Sequence, residues 1–144
     1  RICNLCFDTQ KHATMNVAFA SIASVDVIWP QIAQDMQAAC KRCDSDYSAG
    51  DLWQMCRSGN GFLLVAIDGK EILMASVWRF KGDEFHCEML WGMRRHLWMN
   101  AAREFVGKTA RDNGAFRIVT EGRRGWLRLF KDAVMIGNKY EVAL

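Results

Sequence analysis

Two glycine-centred connections, Asp68-Gly69-Lys70 and Lys81-Gly82-Asp83, do most to limit what this chain can become. Each separates runs rich in β-branched, aromatic and aliphatic residues, at 62–67, 71–80 and 84–91. A connection this short leaves room for a hairpin and not for a crossover, so the three runs form an antiparallel meander. The flanking segments have a helical period. Ile28, Ile32, Met36, Cys40 and Cys43 make one apolar stripe, and Leu97, Ala101, Phe105 and Thr109, beside Trp98, Ala102 and Val106, make another.

Further elements follow from local signals. Val17, Phe19 and Ser21 alternate with small residues through Val25, which predicts a first strand. Asp26 is placed to cap the next helix, Pro30 fits its first turn, and the stripe carries it to Cys43. Ser48 and Asp51 make a capping box for a short second helix that ends at Gly59-Asn60-Gly61. A long helix over 94–113 stops at Gly114, and the strand at 115–120 then returns parallel to its predecessor. A last helix at 126–133 and a strand at 139–144 close the chain. The expected architecture is α/β (α+β), a mixed sheet of about six to seven strands flanked by about four helices. One domain spans 15–144, with 1–14 an N-terminal extension or tag.

Composition excludes several classes. Hydrophobic residues make up 51% and charged residues 24%, and a single proline with eleven glycines leaves no collagen-like or disordered stretch. The longest apolar runs fall far short of the roughly 20 residues that span a bilayer, and no charged-then-apolar leader is evident. A soluble, non-secreted protein without a membrane partner is expected. The net charge of +3 concentrates in the second half, at Arg94, Arg95 and His96 and again at Arg117, Arg123, Arg124, Arg128 and Lys131. That half is the one suited to an anion. The pairs Cys3/Cys6 and Cys40/Cys43 have zinc-ribbon spacing, but the second lies on an apolar helical stripe, so buried thiols and no metal are expected.

The order strand, two helices, meander, long helix, strand, helix, strand resembles the GNAT acyltransferases over 15–144. The tail Arg117-Ile118-Val119-Thr120-Glu121-Gly122-Arg123-Arg124-Gly125-Trp126-Leu127-Arg128-Leu129-Phe130 is similar to the closing G-R-x-G-W-x-R segment of small GNAT-like proteins encoded in tailed-phage genomes. The resemblance implies acetyl-CoA as cofactor, its pyrophosphate on backbone amides where the long central helix begins, in a loop of pattern Q/R-x-x-G-x-G/A. Arg94 matches the first position, while the glycine positions fall on Leu97 and Met99. Side chains there work against a tight amide nest, and Arg94, Arg95 and His96 can offset this with charge-assisted bonds to phosphate. The implied cofactor contacts are Met93, Arg94, Arg95, His96, Leu97, Arg123 and Trp126. Trp126 has two readings, a platform that stacks on adenine or a peptide, or an anchor of the last helix to its sheet.

Such a transferase needs a base near the amine and an acid near the departing thiolate. Alternation along the fourth strand puts His86, Glu88 and Leu90 on one face and Phe85, Cys87, Met89 and Trp91 on the other. Glu88 and His86 are therefore the leading candidates, followed by Glu121, which ends the fifth strand where the parallel strands splay in this fold. Two functions remain open: an acetyltransferase acting on an unidentified amine, in the cytoplasm of a bacterial host, and a catalytically inert virion or assembly protein within a phage particle. Basic and aromatic interleaving near Trp126 is the sole feature pointing to nucleic acid, which is not an expected partner.

Overall fold

A computed structural model describes residues 15–121, 134–136 and 139–144. Strand β1 (Met15–Phe19) is followed by helices α1 (Ile22–Arg42) and α2 (Ala49–Arg57). The meander is β2 (Phe62–Asp68), β3 (Glu71–Lys81) and β4 (Glu84–Gly92), antiparallel throughout. Its turns work because Gly69 and Gly82 sit at φ 64° and 61°, where a Cβ would be strained. A 3₁₀ turn (Arg95–Leu97) leads into α3 (Met99–Asp112), and β5 (Arg117–Glu121) returns parallel to β4. The hairpin of β6 (Val134–Ile136) and β7 (Lys139–Ala143) completes a seven-stranded sheet of order β1-β2-β3-β4-β5-β7-β6. The expected helix at 126–133 lies outside the described residues. No helix among the described residues is long and apolar enough to cross a membrane.

The sheet separates two cores. On one face α1 and α2 bury Ile28, Ile32, Met36, Cys40, Leu52 and Cys56 against Leu63, Val65, Val77 and Met89. On the other, Trp98, Ala102, Val106 and Ala110 of the α3 segment cover Leu64, Met74, Trp78, Phe85 and Ile118. Cys40 and Cys56 belong to the first core, and burial pushes the Cys56 thiol up to about 12, so it stays protonated at any physiological pH.

Several sequence expectations need correction. The first strand ends at Phe19, and α1 begins at Ile22 with Ser21 at its N-cap position, not Asp26. Helical geometry prevails because it puts Val25, Ile28, Trp29 and Ile32 on one buried stripe, which a strand through Val25 would split between two faces. Asp26 lies inside the helix on its outer face, accepting from Trp53 Nε1 at 2.8 Å and tying α2 to α1. Pro30 is inside the helix, well beyond the first turn. The buried stripe of the long helix is Trp98, Ala102, Val106 and Ala110, while Leu97 and Ala101 are exposed. That helix also starts at Met99 and not at Arg94, and the short strand β6 had no counterpart in the sequence reading.

Candidate functional site

The ladder between β4 and β5 runs from Glu84↔Arg117 to Cys87↔Thr120 and stops there. Beyond it, among the described residues, Glu121 pairs with Lys139 of β7 and not with β4, so the two parallel strands part at Cys87 and Thr120. At the same level β4 bulges. Cys87 lies opposite Trp78 of β3 and Met89 opposite Val77, which leaves Glu88 as the extra residue. The bulge reverses the strand's faces and corrects the simple alternation expected for it. Phe85 and Cys87 pack into the α3-side core, whereas Met89 and Trp91 pack on the α1/α2 side and Leu90 on the α3 side.

A charged cluster lines this stretch. The Glu88 side chain is only 9% exposed, and Lys81 Nζ stands 2.9 Å from its Oε1. The approach is outside hydrogen-bonding direction, so charge and not a directed bond holds the pair. His86 Nε2 is 2.8 Å from Glu84 Oε1, and Arg117 donates through Nε to Glu84 Oε2 at 3.1 Å. The hydrogen bond with His86 holds the Glu84 carboxyl below its ordinary range, with help from the Arg117 charge. Glu84 and Lys81 were not singled out from the sequence, and Arg117 was noted only as one of the basic residues of the second half. The spacing Glu84-x-His86-x-Glu88 within one strand was the available signal, since alternate residues start on one face.

The connection from β4 to α3 is the second part of the site. Met93 N donates to Leu73 O at 2.8 Å, anchoring the loop to β3. Trp98, 2% exposed, folds under it and donates from Nε1 to Met93 O at 2.8 Å. Gly92 is required here because a Cβ would stand 2.5 Å from the Trp98 ring. Arg94 adopts the left-handed conformation at φ 49°, uncommon without glycine, and donates to both Glu71 carboxylate oxygens at 2.8 and 2.9 Å. Among the described residues Arg95 and His96 make no ion pair, and both are exposed. Trp98 at the N-cap position supplies no side-chain bond, so the first-turn amides of Met99, Asn100 and Ala101 have no intrahelical acceptor.

The structure thus gathers Glu88, His86 and the end of β5 around the strand opening. It puts Met93, Arg94, Arg95, His96 and Leu97 on the loop before α3. Arg123 and Trp126 lie outside the described residues, as do Cys3 and Cys6. Cys40 is buried and Cys43 packs against the same core, as the apolar stripe implied.

No protein-family model matches the sequence, and no curated protein matches it. Solved structures do match. The GNAT domain of S. lividans PAT superposes with a TM-score of 0.66 at 16% identity, over 90% of this chain and 90% of that one. The fold is that of the GNAT acetyltransferases. A GNAT family acetyltransferase from Brucella melitensis, in complex with acetyl-CoA, gives 0.62 at 18% identity over 92% and 90% of the two chains. An aminoglycoside 6′-acetyltransferase of type Ii gives 0.68 at 8% identity over 89% and 96%.

Proposed function

We propose that the protein is an N-acetyltransferase that takes acetyl-CoA as donor and an amine as acceptor. The carrying observation is that the parting of β4 from β5 after Cys87 and Thr120 coincides with the bulge at Glu88, with the Glu84–His86 pair on the rungs that lead up to it. A Brucella protein of the same fold holds acetyl-CoA, and one from Thermoplasma acidophilum holds coenzyme A.

The residues present fit such a donor. Its phosphates would rest on the open amides of Met99–Ala101 and on Arg95 and His96, with the helix N-terminus adding its partial positive charge. Arg94 is held by Glu71 and must exchange partners to contribute. The missing glycines shift the task from an amide nest to side-chain cations. When bound, the donor supplies an acetyl thioester at the strand opening. Glu88 is the base that takes the amine proton, His86 an alternative held in one orientation by Glu84, and Glu121 the third candidate. Arg123 and Trp126 would add contacts to the donor.

An assay of acetyl-CoA-dependent thiol release across a panel of primary amines tests this. Glu88→Gln should lower kcat by about a hundredfold or more in a folded protein, the usual scale of general-base loss. Unchanged turnover would remove Glu88 from the mechanism. The second reading, an inert virion or assembly protein of a tailed phage in which only the fold is kept, draws on the side chains at Leu97 and Met99 and on the G-R-x-G-W-x-R tail. Failure of the folded protein to bind coenzyme A would favour it.

A further inference from the structure

We propose that Lys81 is itself an acetyl acceptor, so that the protein modifies its own β3 strand at the site where an external amine would react. The inference rests on the acetyl-transfer reading above and adds a named acceptor to it. Lys81 closes β3 immediately before the Gly82 turn, and its ammonium reaches along the sheet to stand 2.9 Å from Glu88 Oε1. Glu88 is the bulged residue next to Cys87, the last residue of β4 that pairs with β5. A primary amine of the chain therefore already occupies the station beside the candidate base, at the mouth of the strand opening. It is 42% exposed, which leaves it open to a reagent from solvent, while the carboxylate beneath is 9% exposed.

The chemistry balances with an acetyl thioester as the only co-reactant. Lys81 Nζ, an ammonium in the pair, gives one proton to Glu88, which passes it to solvent, and the lone pair so freed forms the C–N bond to the acyl carbon. The C–S bond breaks and the second N–H proton goes to the departing thiolate, so that ammonium and thioester give amide, thiol and one released proton. The product is a neutral amide, so Glu88 loses its counter-charge. Modification would then leave the base free for an external amine, and would cost stability through a buried carboxylate without a partner.

Two donors separate this inference from the reading it rests on: acetyl-CoA, and the short thioester S-acetyl-N-acetylcysteamine, which has no phosphates and needs no phosphate site. Labelling is read by intact mass and peptide mapping, with exposed Lys41, Lys70 and Lys108 as internal references. Lys81 should acquire one acetyl group at least about tenfold faster than any reference lysine, a modest share of what a positioned base supplies. The rate constant should be independent of protein concentration. Glu88→Gln should abolish the preference without altering the fold, and Lys81→Arg should remove the labelled peptide. The singly acetylated protein should also melt lower than the unmodified one. Selective labelling by the short thioester but not by acetyl-CoA would keep Lys81 as acceptor and overturn the phosphate site. Calorimetric binding of acetyl-CoA with no selective labelling by either donor would overturn Lys81 and leave the phosphate site standing. Equal labelling of Lys81 and Lys108, or undiminished preference in Glu88→Gln, overturns the proposal.

Discussion

The helices α2 and α3 begin in opposite ways. At α2, Ser48 Oγ accepts from Asp51 N at 3.1 Å, Asp51 Oδ2 accepts from Ser48 N at 2.9 Å, and Gln37 Oε1 of α1 accepts from Ala49 N at 2.9 Å, so the helix start is satisfied by protein groups. At α3 the N-cap position holds Trp98, the first turn has no acidic residue, and Arg94, Arg95 and His96 stand just before it. Cations at a helix N-terminus oppose the helix dipole and cost stability. That arrangement is explicable if an anion completes it. On the proposed reading the start satisfied by protein groups is structural and the cationic one receives the donor's phosphates, so the two helices should respond differently to the same kinds of change.

The largest effect should come from the indole that holds the open start in place. Trp98→Ala should destabilise the protein by about 3–5 kcal/mol, the usual result of truncating a buried tryptophan, as read by denaturant unfolding. A loss below about 1 kcal/mol would mean that the loop does not depend on the ring. Gly92→Ala should cost about 1–3 kcal/mol by forcing a methyl against that ring, and should weaken coenzyme A binding as well. Ser48→Ala should cost about 1 kcal/mol by removing the cap, yet leave coenzyme A affinity unchanged. Should it weaken binding as much as changes at 92–98 do, the contrast between the two starts fails. Glu71→Gln should alter stability by less than about 1 kcal/mol, because the pair with Arg94 is half exposed. It should tighten coenzyme A binding by releasing the guanidinium.

Acid sharpens the same contrast. Hydrogen bonds from the Ser48 amide and hydroxyl hold Asp51 below its ordinary range, as the His86 bond does Glu84. For a carboxyl depressed in the folded state, the stabilisation is complete above the unfolded pKa of about 4 and is lost as pH falls through the lower folded value. Melting temperature measured downward from neutral pH should therefore fall below about pH 4. The fall should be shallower in Glu84→Gln, which no longer has that stabilisation to lose. A Glu84→Gln profile parallel to that of the unaltered protein would show that the His86 and Arg117 contacts do not stabilise the charged carboxyl.

Much of this was legible in the residues because the deciding interactions are local. Glycine at both hairpin turns, the Ser48–Asp51 box and Gly114 at φ 78° are each fixed by neighbours a few positions away. The start of α1 was misplaced because Ala20, Ser21, Ala23 and Ser24 suit strand or helix equally, and only burial of Val25 and Ile28 against the sheet decides. The bulge at Glu88 was illegible for a similar reason. It exists in the register between β3 and β4, so simple alternation put Cys87 and Met89 on one face when they lie on two. Lys81 was missed because it meets Glu88 only once that register is set, and Arg117 meets Glu84 only through the β4/β5 pairing, whereas the Glu84–His86 pair, two residues apart in one strand, was within reach of the sequence.

Calorimetric titration of coenzyme A into the unaltered protein and into the double variant Arg94→Ala/Arg95→Ala tests the central claim most directly. Binding at one site is expected, with affinity lowered about tenfold or more in the double variant, since a charge-assisted hydrogen bond contributes roughly 1.5–3 kcal/mol and each 1.4 kcal/mol is about tenfold. No heat of binding in a folded protein, or equal affinity in the two, would contradict the assignment of the α3 start as the phosphate site.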